Sequence, residues 1–340
     1  MSTSVKDDVH DGPVPPGEKR GNVILDHLTA SRLGNGLGRS ATLAAFLLMV
    51  AFFWAQHPDT FGTWENFKSI FTLAAPLLIL SVGLTIVLTV GEFDLSFVGV
   101  VNLAALVIAK YLVGGGHGVF LAIVLALAVG LAGGLIAGLL VAADRASSFI
   151  VTLALNTIWG GLALGISNAK YIPIPNLTFT NISLSEAGLP VPVWISIGVV
   201  LVGMLVMQTT VFGRDTRAVG SNRLAARLAG VRVNVTRIGT FALLGLCTGL
   251  AAMLLASSEG AYTPGVGSGL LIPPYVAVFF GISVLGVGRF TVLGTVVGAL
   301  FIQTLQTGLT FEGVSSWVSN VVIGTVLLVI LFLSSQLRKS

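Results

Sequence analysis

Charges are so sparse along this chain that they divide it into long uncharged intervals, and no other feature limits its fold as strongly. Ten such intervals run over 40–58, 69–91, 95–109, 111–143, 146–169, 187–213, 238–258, 260–288, 290–311 and 313–337. A membrane-spanning helix needs about 20 apolar residues, and each interval holds one apolar core once its polar ends are trimmed. Only 9% of the residues are charged and 54% are hydrophobic, against roughly 25% charged in an ordinary soluble domain. A water-soluble globule is excluded. The pattern predicts an all-α polytopic membrane protein with about ten transmembrane helices.

Two intervals are irregular. The one at 95–109 is short and begins beside Asp94, and the one at 260–288 carries Pro264, Pro273 and Pro274, which predicts a short helix starting near Pro273. Non-helical backbone at membrane depth persists only inside protein or along a wet cavity, so broken helices point towards a permeation path. Ten spans also permit two inverted halves, spans two to five and seven to ten.

Residues 1–40 are polar, proline-rich between Gly12 and Gly17, and contain no apolar stretch resembling a signal peptide. They are expected to form a disordered cytoplasmic tail ahead of a transmembrane domain at 41–337. Alternating sides over ten spans puts Lys6, Lys19, Arg20, Arg32 and Arg39 together with Arg145, Arg289, Arg338, Lys339 and every arginine from Arg214 to Arg237. Only Lys68, Lys110 and Lys170 fall opposite. Because basic residues concentrate on the cytoplasmic side, both termini are expected there.

Glycines recur four apart at Gly130, Gly134 and Gly138, at Gly245 and Gly249, and at Gly294 and Gly298. Such faces let helices approach closely, and contacts inside one chain or between two copies would both use them. The single cysteine, Cys247, excludes a disulfide framework and a cysteine-rich metal site.

The loop at 211–237 has six arginines and one acid, so it cannot enter lipid. Within it, Ser221 or Asn222 suits a helix N-cap, Arg223 to Ala229 favour helix, and Gly230 stands where a left-handed residue would close it. Leu224 and Leu228 share one face and Arg223 and Arg227 another. So short a helix needs a partner to persist in water. An amphipathic loop helix of this kind fits either a protein groove or anionic lipid headgroups.

The runs Phe212-Gly213-Arg214, Ala218 to Asn222 and Ala225 to Val231 resemble the cytoplasmic signature of the ribose-type permeases of bacterial ABC sugar importers. Gly91 to Ser96 is similar to that family's Gly-Gly-Ile-Asp-Leu-Ser segment, with Glu92 replacing a glycine. Residues from Ala251 through Gly281 to Leu300 resemble its glycine-rich stretch, with Val284 and Gly286 departing from it. The resemblance covers roughly residues 45–335 and implies a binding-protein-dependent inner-membrane component in bacteria. Its coupling helix would dock into a separate ATPase through Asn222, Leu224, Ala225, Ala226, Leu228 and Gly230. At Leu224 the looser form of the motif has an acid. Implied partners are that ATP-binding cassette ATPase, a periplasmic substrate-binding protein, a second permease copy, identical or homologous, and membrane lipid. No nucleic acid is implied.

No Gly-x-x-x-x-Gly-Lys-Ser/Thr loop occurs, so nucleotide phosphates would be held by the partner and no cofactor is expected on this chain. No arrangement of His10, His27, His57 or His117 suggests an enzyme. Ion-coupled carriers generally need intramembrane acids or histidines, and here only Glu92 and Asp94 qualify. Asp94 with Ser96 suits a helix cap; alternatively Glu92, Asp94 and Asn102 line an inner mouth and hydrogen-bond a polyol. Asn156 and Trp159, with Gln303, Thr304 and Gln306, are further candidates for the path, or else bond helix to helix. The expected function is the permease subunit of an importer for a monosaccharide or related polyol. An ion-gradient-driven secondary transporter is the alternative.

Overall fold

The computed structural model describes residues 43–114, 118–184, 186–285 and 289–337. The expected tail at 1–40, with His10 and His27, and also His117, Gly286, Arg338 and Lys339 lie outside the described residues. Thirteen helices follow one another among the described residues: α1 (Leu43–Gln56), α2 (Trp64–Thr89), α3 (Phe97–Leu112), α4 (Val119–Ala142), α5 (Ser148–Ser167), α6 (Leu177–Leu184), α7 (Val191–Thr209), α8 (Val211–Ser221), α9 (Arg223–Leu228), α10 (Val233–Glu259), α11 (Pro273–Leu285), α12 (Val292–Phe311) and α13 (Ser316–Leu337). Six of them, α2, α4, α5, α7, α10 and α12, are long and apolar enough to cross a membrane, and the apolar helices α1, α3, α11 and α13 complete a set of ten. Each of the ten overlaps one uncharged interval, and α2, α3 and α10 run past the ends of theirs over Glu65, Lys68, Lys110, Arg237 and Glu259. Of the other three, α6 is a short surface helix, and α8 and α9 make up the basic loop.

Small polar residues start several of these helices by accepting a bond from an otherwise unpaired N–H of the first turn. Thr63 serves Asn66 ahead of α2, Ser147 serves Ile150 ahead of α5, and Thr291 serves Gly294 ahead of α12. The helix α2 is the axis of the molecule. Every residue from Ala74 to Leu88 is buried, as expected of a helix that is apolar on all sides.

Two of the shorter helices follow an irregular stretch and fall short of the membrane's width. At 1.5 Å per residue, α3 is about 24 Å long and α11 about 20 Å, less than a hydrocarbon core of about 30 Å. Each follows a stretch without α-helix, at 90–96 and at 260–272, the second containing a single 3-10 turn at Ser268–Leu270. The prolines end the irregular stretch where the sequence predicts, at Pro273.

Neighbour relations repeat between two sets of four helices. The pair α2 and α12 packs as α10 and α4 do; α3 lies on α4 and α5 as α11 lies on α12 and α13; and α3 touches α10 as α11 touches α2. This pattern accords with two repeated halves, each with its own broken segment.

Glycine faces are closed within the chain. A β-carbon on Gly134 would stand 2.3 Å from the carbonyl oxygen of Phe241, and one on Gly130 2.2 Å from that of Gly245, so α4 and α10 meet backbone to backbone. Gly298 on α12 approaches Ala277 on α11 in the same way.

Candidate coupling and translocation site

The basic loop is two helices rather than one. Thr210 caps α8 by accepting from the Gly213 N–H at 3.2 Å, and α8 then runs to Ser221. Gly220 near its end lies so close to the carbonyl of Thr89 on α2 that a β-carbon there would be 1.9 Å from that oxygen. Asn222 breaks the helix in extended conformation, and its side-chain oxygen accepts from the Ala225 N–H at 2.9 Å to start α9. Gly230, at φ 85°, closes α9 in the left-handed region.

The short helix α9 has two unlike sides. Ala226 is buried with Val90, Val219 and Val233 in a small cluster under the loop. Leu224 and Leu228 are 68% and 81% exposed. The helix is thus anchored to the end of α2 while its apolar ridge faces outwards, uncovered by any of the described residues. Asn222, Ala225 and Gly230 lie on this exposed side, and Ala226 forms the anchor.

Immediately inside the loop, the stretch 90–96 interrupts the path from α2 to α3, and its polar groups are met by protein. The Phe93 N–H donates to Ser148 Oγ and the Leu95 N–H to Thr152 Oγ1, both at 3.0 Å. One step further, the Gly99 N–H donates to Asn156 Oδ1 at 2.8 Å. Ser148, Thr152 and Asn156 are four apart along α5, so one polar stripe of that helix receives three main-chain donors. This is what an irregular backbone needs where water is scarce.

Side chains of the stretch have definite partners. Asp94 is buried and its carboxylate accepts from both the N–H and the hydroxyl of Ser96 at 2.6 Å, so it organises the turn into α3. Its main-chain carbonyl accepts from the hydroxyl of Tyr275 on α11. Glu92 is also buried. Its Oε1 accepts from Nε of Arg237 at 2.7 Å and from the guanidinium of Arg223. Arg237, only 2% exposed, reaches the Val141 carbonyl at 3.0 Å and ion-pairs with Asp144 at 2.8 Å. Two arginines and two acids therefore form one cluster joining α9, α10, the end of α4 and the break before α3. A buried charge demands such compensation, because leaving one partner alone costs about 3–5 kcal/mol.

The candidate path residues fall into two groups. Asp94, Asn102, Asn156 and Trp159 gather around α3, with Asn102 Oδ1 accepting from the Gly265 N–H of the second irregular stretch at 3.2 Å. Glu92 borders this group from the loop side. Trp159 lies against Gly99, and its buried indole N–H has no hydrogen-bond partner among the described residues. Gln303, Thr304 and Gln306 lie on α12, which packs chiefly on α2 and α11. Gln303 and Thr304 are buried.

Sequence reasoning missed Tyr275, Ser148, Thr152 and the partners of Glu92. Glu92 itself carried a signal: an acid where the resembling segment has glycine, lying near a loop with six arginines. Among the described residues, no cluster of His, Cys, Asp or Glu could hold a metal ion.

Comparison with known proteins agrees with this architecture. The family described as branched-chain amino acid transport system / permease component matches residues 66–331. The chain is 32% identical to the L-arabinose ABC transporter permease protein of Azospirillum brasilense, over 86% of each chain. It is 34% identical to the ribose import permease protein of Bacillus subtilis (strain 168), over 76% of this chain and 81% of the relative. To the ribose import permease protein of Escherichia coli (strain K12) it is 31% identical, over 87% and 93%. No solved structure matches the chain. These relatives favour ATP-driven transport over the ion-gradient-driven alternative. With its apolar helices and its match to the family over most of its length, the chain belongs to the branched-chain amino acid transport system / permease component family and is a multi-pass membrane permease, not an enzyme.

Proposed function

We propose that this chain is the membrane-spanning permease subunit of a bacterial ABC importer for a monosaccharide or related polyol, seated in the inner membrane with both termini cytoplasmic. ATP is bound and hydrolysed by a separate ATPase pair, and a periplasmic binding protein delivers the solute to a path formed by two copies of the chain. The observation that carries this reading is the exposed Leu224 and Leu228 ridge on a helix whose opposite side is fixed to α2. Apolar side chains held outwards on a rigid base suit a lever that another protein grips. The sugar class rests on the ribose and arabinose named for the relatives.

The mechanism follows from the parts. Closure of the ATPase pair on ATP moves the two α9 helices, and because α9 is seated on the end of α2 the motion enters the membrane at the break before α3. Access then alternates between the two faces by population shift, the nucleotide state favouring one arrangement over the other. Sparse amides along α3, α5 and α12 suit weak binding of a neutral, hydroxyl-rich solute, which must leave as readily as it enters.

Uptake of radiolabelled D-ribose, L-arabinose, D-allose and L-leucine by cells with and without this chain tests the reading. Uptake of one of the sugars that requires the chain, survives collapse of the proton gradient and fails without ATP supports it. Leucine as the only solute taken up would overturn the sugar assignment, and uptake abolished by a protonophore with ATP maintained would overturn ATP drive.

A further inference from the structure

Glu92 Oε1 is shared by two arginines of opposite character. Arg237 is buried, and it is held in addition by the Val141 carbonyl and by Asp144. Arg223 is the first residue of α9, its side chain is 43% exposed, and its other guanidinium nitrogen lies 3.8 Å from Asp144. If Arg223 withdraws, Glu92 keeps Arg237, and Arg223 keeps water and Asp144. No buried charge is stranded in either arrangement. A contact that would be costly to break between an isolated pair is here free to open and close.

The carboxylate it grips is well placed. Glu92 belongs to the non-helical stretch before α3, and within two residues of it the main chain is bonded to Ser148 on α5 and to Tyr275 on α11. Displacing Glu92 therefore displaces the segment that joins three helices around the candidate path.

We propose that Arg223 is a positioning residue for transport: its bond to Glu92 transmits movement of the docking helix α9 into the segment 90–96, opening or closing the membrane path in step with the ATPase. This rests on the importer reading above. It adds a specific polar linkage to the apolar seating of α9, and it belongs to this chain's own glutamate.

The test uses the whole complex extracted with its ATPase and placed in lipid nanodiscs. Phe93, 41% exposed on the same segment, is replaced as Phe93→Cys in a Cys247→Ala chain, and its rate of reaction with a charged maleimide is measured with and without trapping by ATP and vanadate. The rate should change by about fivefold or more on trapping, the lower end of typical coupling between sites. Adding Arg223→Ala should remove most of that change while the ATPase stays bound, and Arg223→Lys, which can still meet a single carboxylate oxygen, should restore it. Glu92→Gln should act like Arg223→Ala, and the two together should be no worse than either alone. A full response in Arg223→Ala would overturn the linkage and leave the importer reading intact. Absence of any ATPase from the unmodified complex would overturn that reading and the linkage with it.

Discussion

The hydroxyl of Tyr275 donates to the main-chain carbonyl of Asp94, tying the short helix α11 to the break before the short helix α3. A second bond crosses in the other direction, from the Gly265 N–H of the irregular stretch before α11 to Asn102 on α3. Each interrupted segment is thus held by the other's helix. Tyr275→Phe should keep the ring stacked near Phe93 but leave the Asp94 carbonyl without its donor, a loss of about 1 kcal/mol. Thermal unfolding of the detergent-solubilised protein measures it, and an unchanged midpoint would mean that the bond contributes nothing to holding the breaks together.

The backbone contact between α4 and α10 tolerates no side chain. Gly134→Ala would force a methyl to 2.3 Å from the Phe241 carbonyl, and the resulting shift should cost about 1–3 kcal/mol. None of the described residues crowds Gly160 or Gly161 on α5, so alanine at either should leave the folded yield unchanged. Fluorescence-detected size exclusion compares the three variants directly.

Removing the two arginines of the Glu92 cluster should have unequal effects on stability. Arg237→Ala takes the buried arginine away from Glu92 and from the Val141 carbonyl, leaving the glutamate only the half-exposed Arg223, and should destabilise by about 3 kcal/mol. Arg223→Ala leaves Glu92 paired with Arg237 and should cost about 1 kcal/mol or less. Equal losses on thermal denaturation would contradict the assignment of Arg237 as the fixed partner.

Among the described residues nothing lies within 4 Å of where a β-carbon on Gly230 would sit, but its φ is 85°. Gly230→Val therefore acts through the backbone, at about 1–2 kcal/mol for an L-residue forced into that region, and should loosen the end of α9. Membrane insertion should be unaffected while solute uptake falls and ATP hydrolysis continues. Normal uptake by this variant would contradict a mechanical role for α9.

How much of this was legible in the sequence depended on the range of the interactions involved. Uncharged intervals marked all ten apolar helices, because the bilayer imposes a length and a polarity on each span independently of its neighbours. The Asn222 cap, the Gly230 closure and the start of α11 at Pro273 were equally readable, being set by backbone chemistry within a few residues. The helix α8 was not, since its arginines mask an apolar side that becomes useful only against the end of α2. The ion cluster was hidden for a stronger reason: Glu92 and Arg237 are 145 residues apart, and it is the packing of α10 against α2, α3 and α4 that brings Arg237 beside the break. Asp94 and Asn156 could be singled out as polar groups in apolar surroundings, but whether each bonds backbone or solute depends on partners that periodicity does not reveal.

Everything proposed for transport requires that the outward ridge of α9 be held by an ATP-hydrolysing partner. The most direct measurement places a photoreactive cross-linker at Leu228→Cys in a Cys247→Ala chain and irradiates native membranes. The account predicts a single major adduct with an ATPase, strongly enriched over the same linker at Val235, which is exposed beyond α9. Adducts with phospholipid alone, or equal capture from both positions, would contradict it.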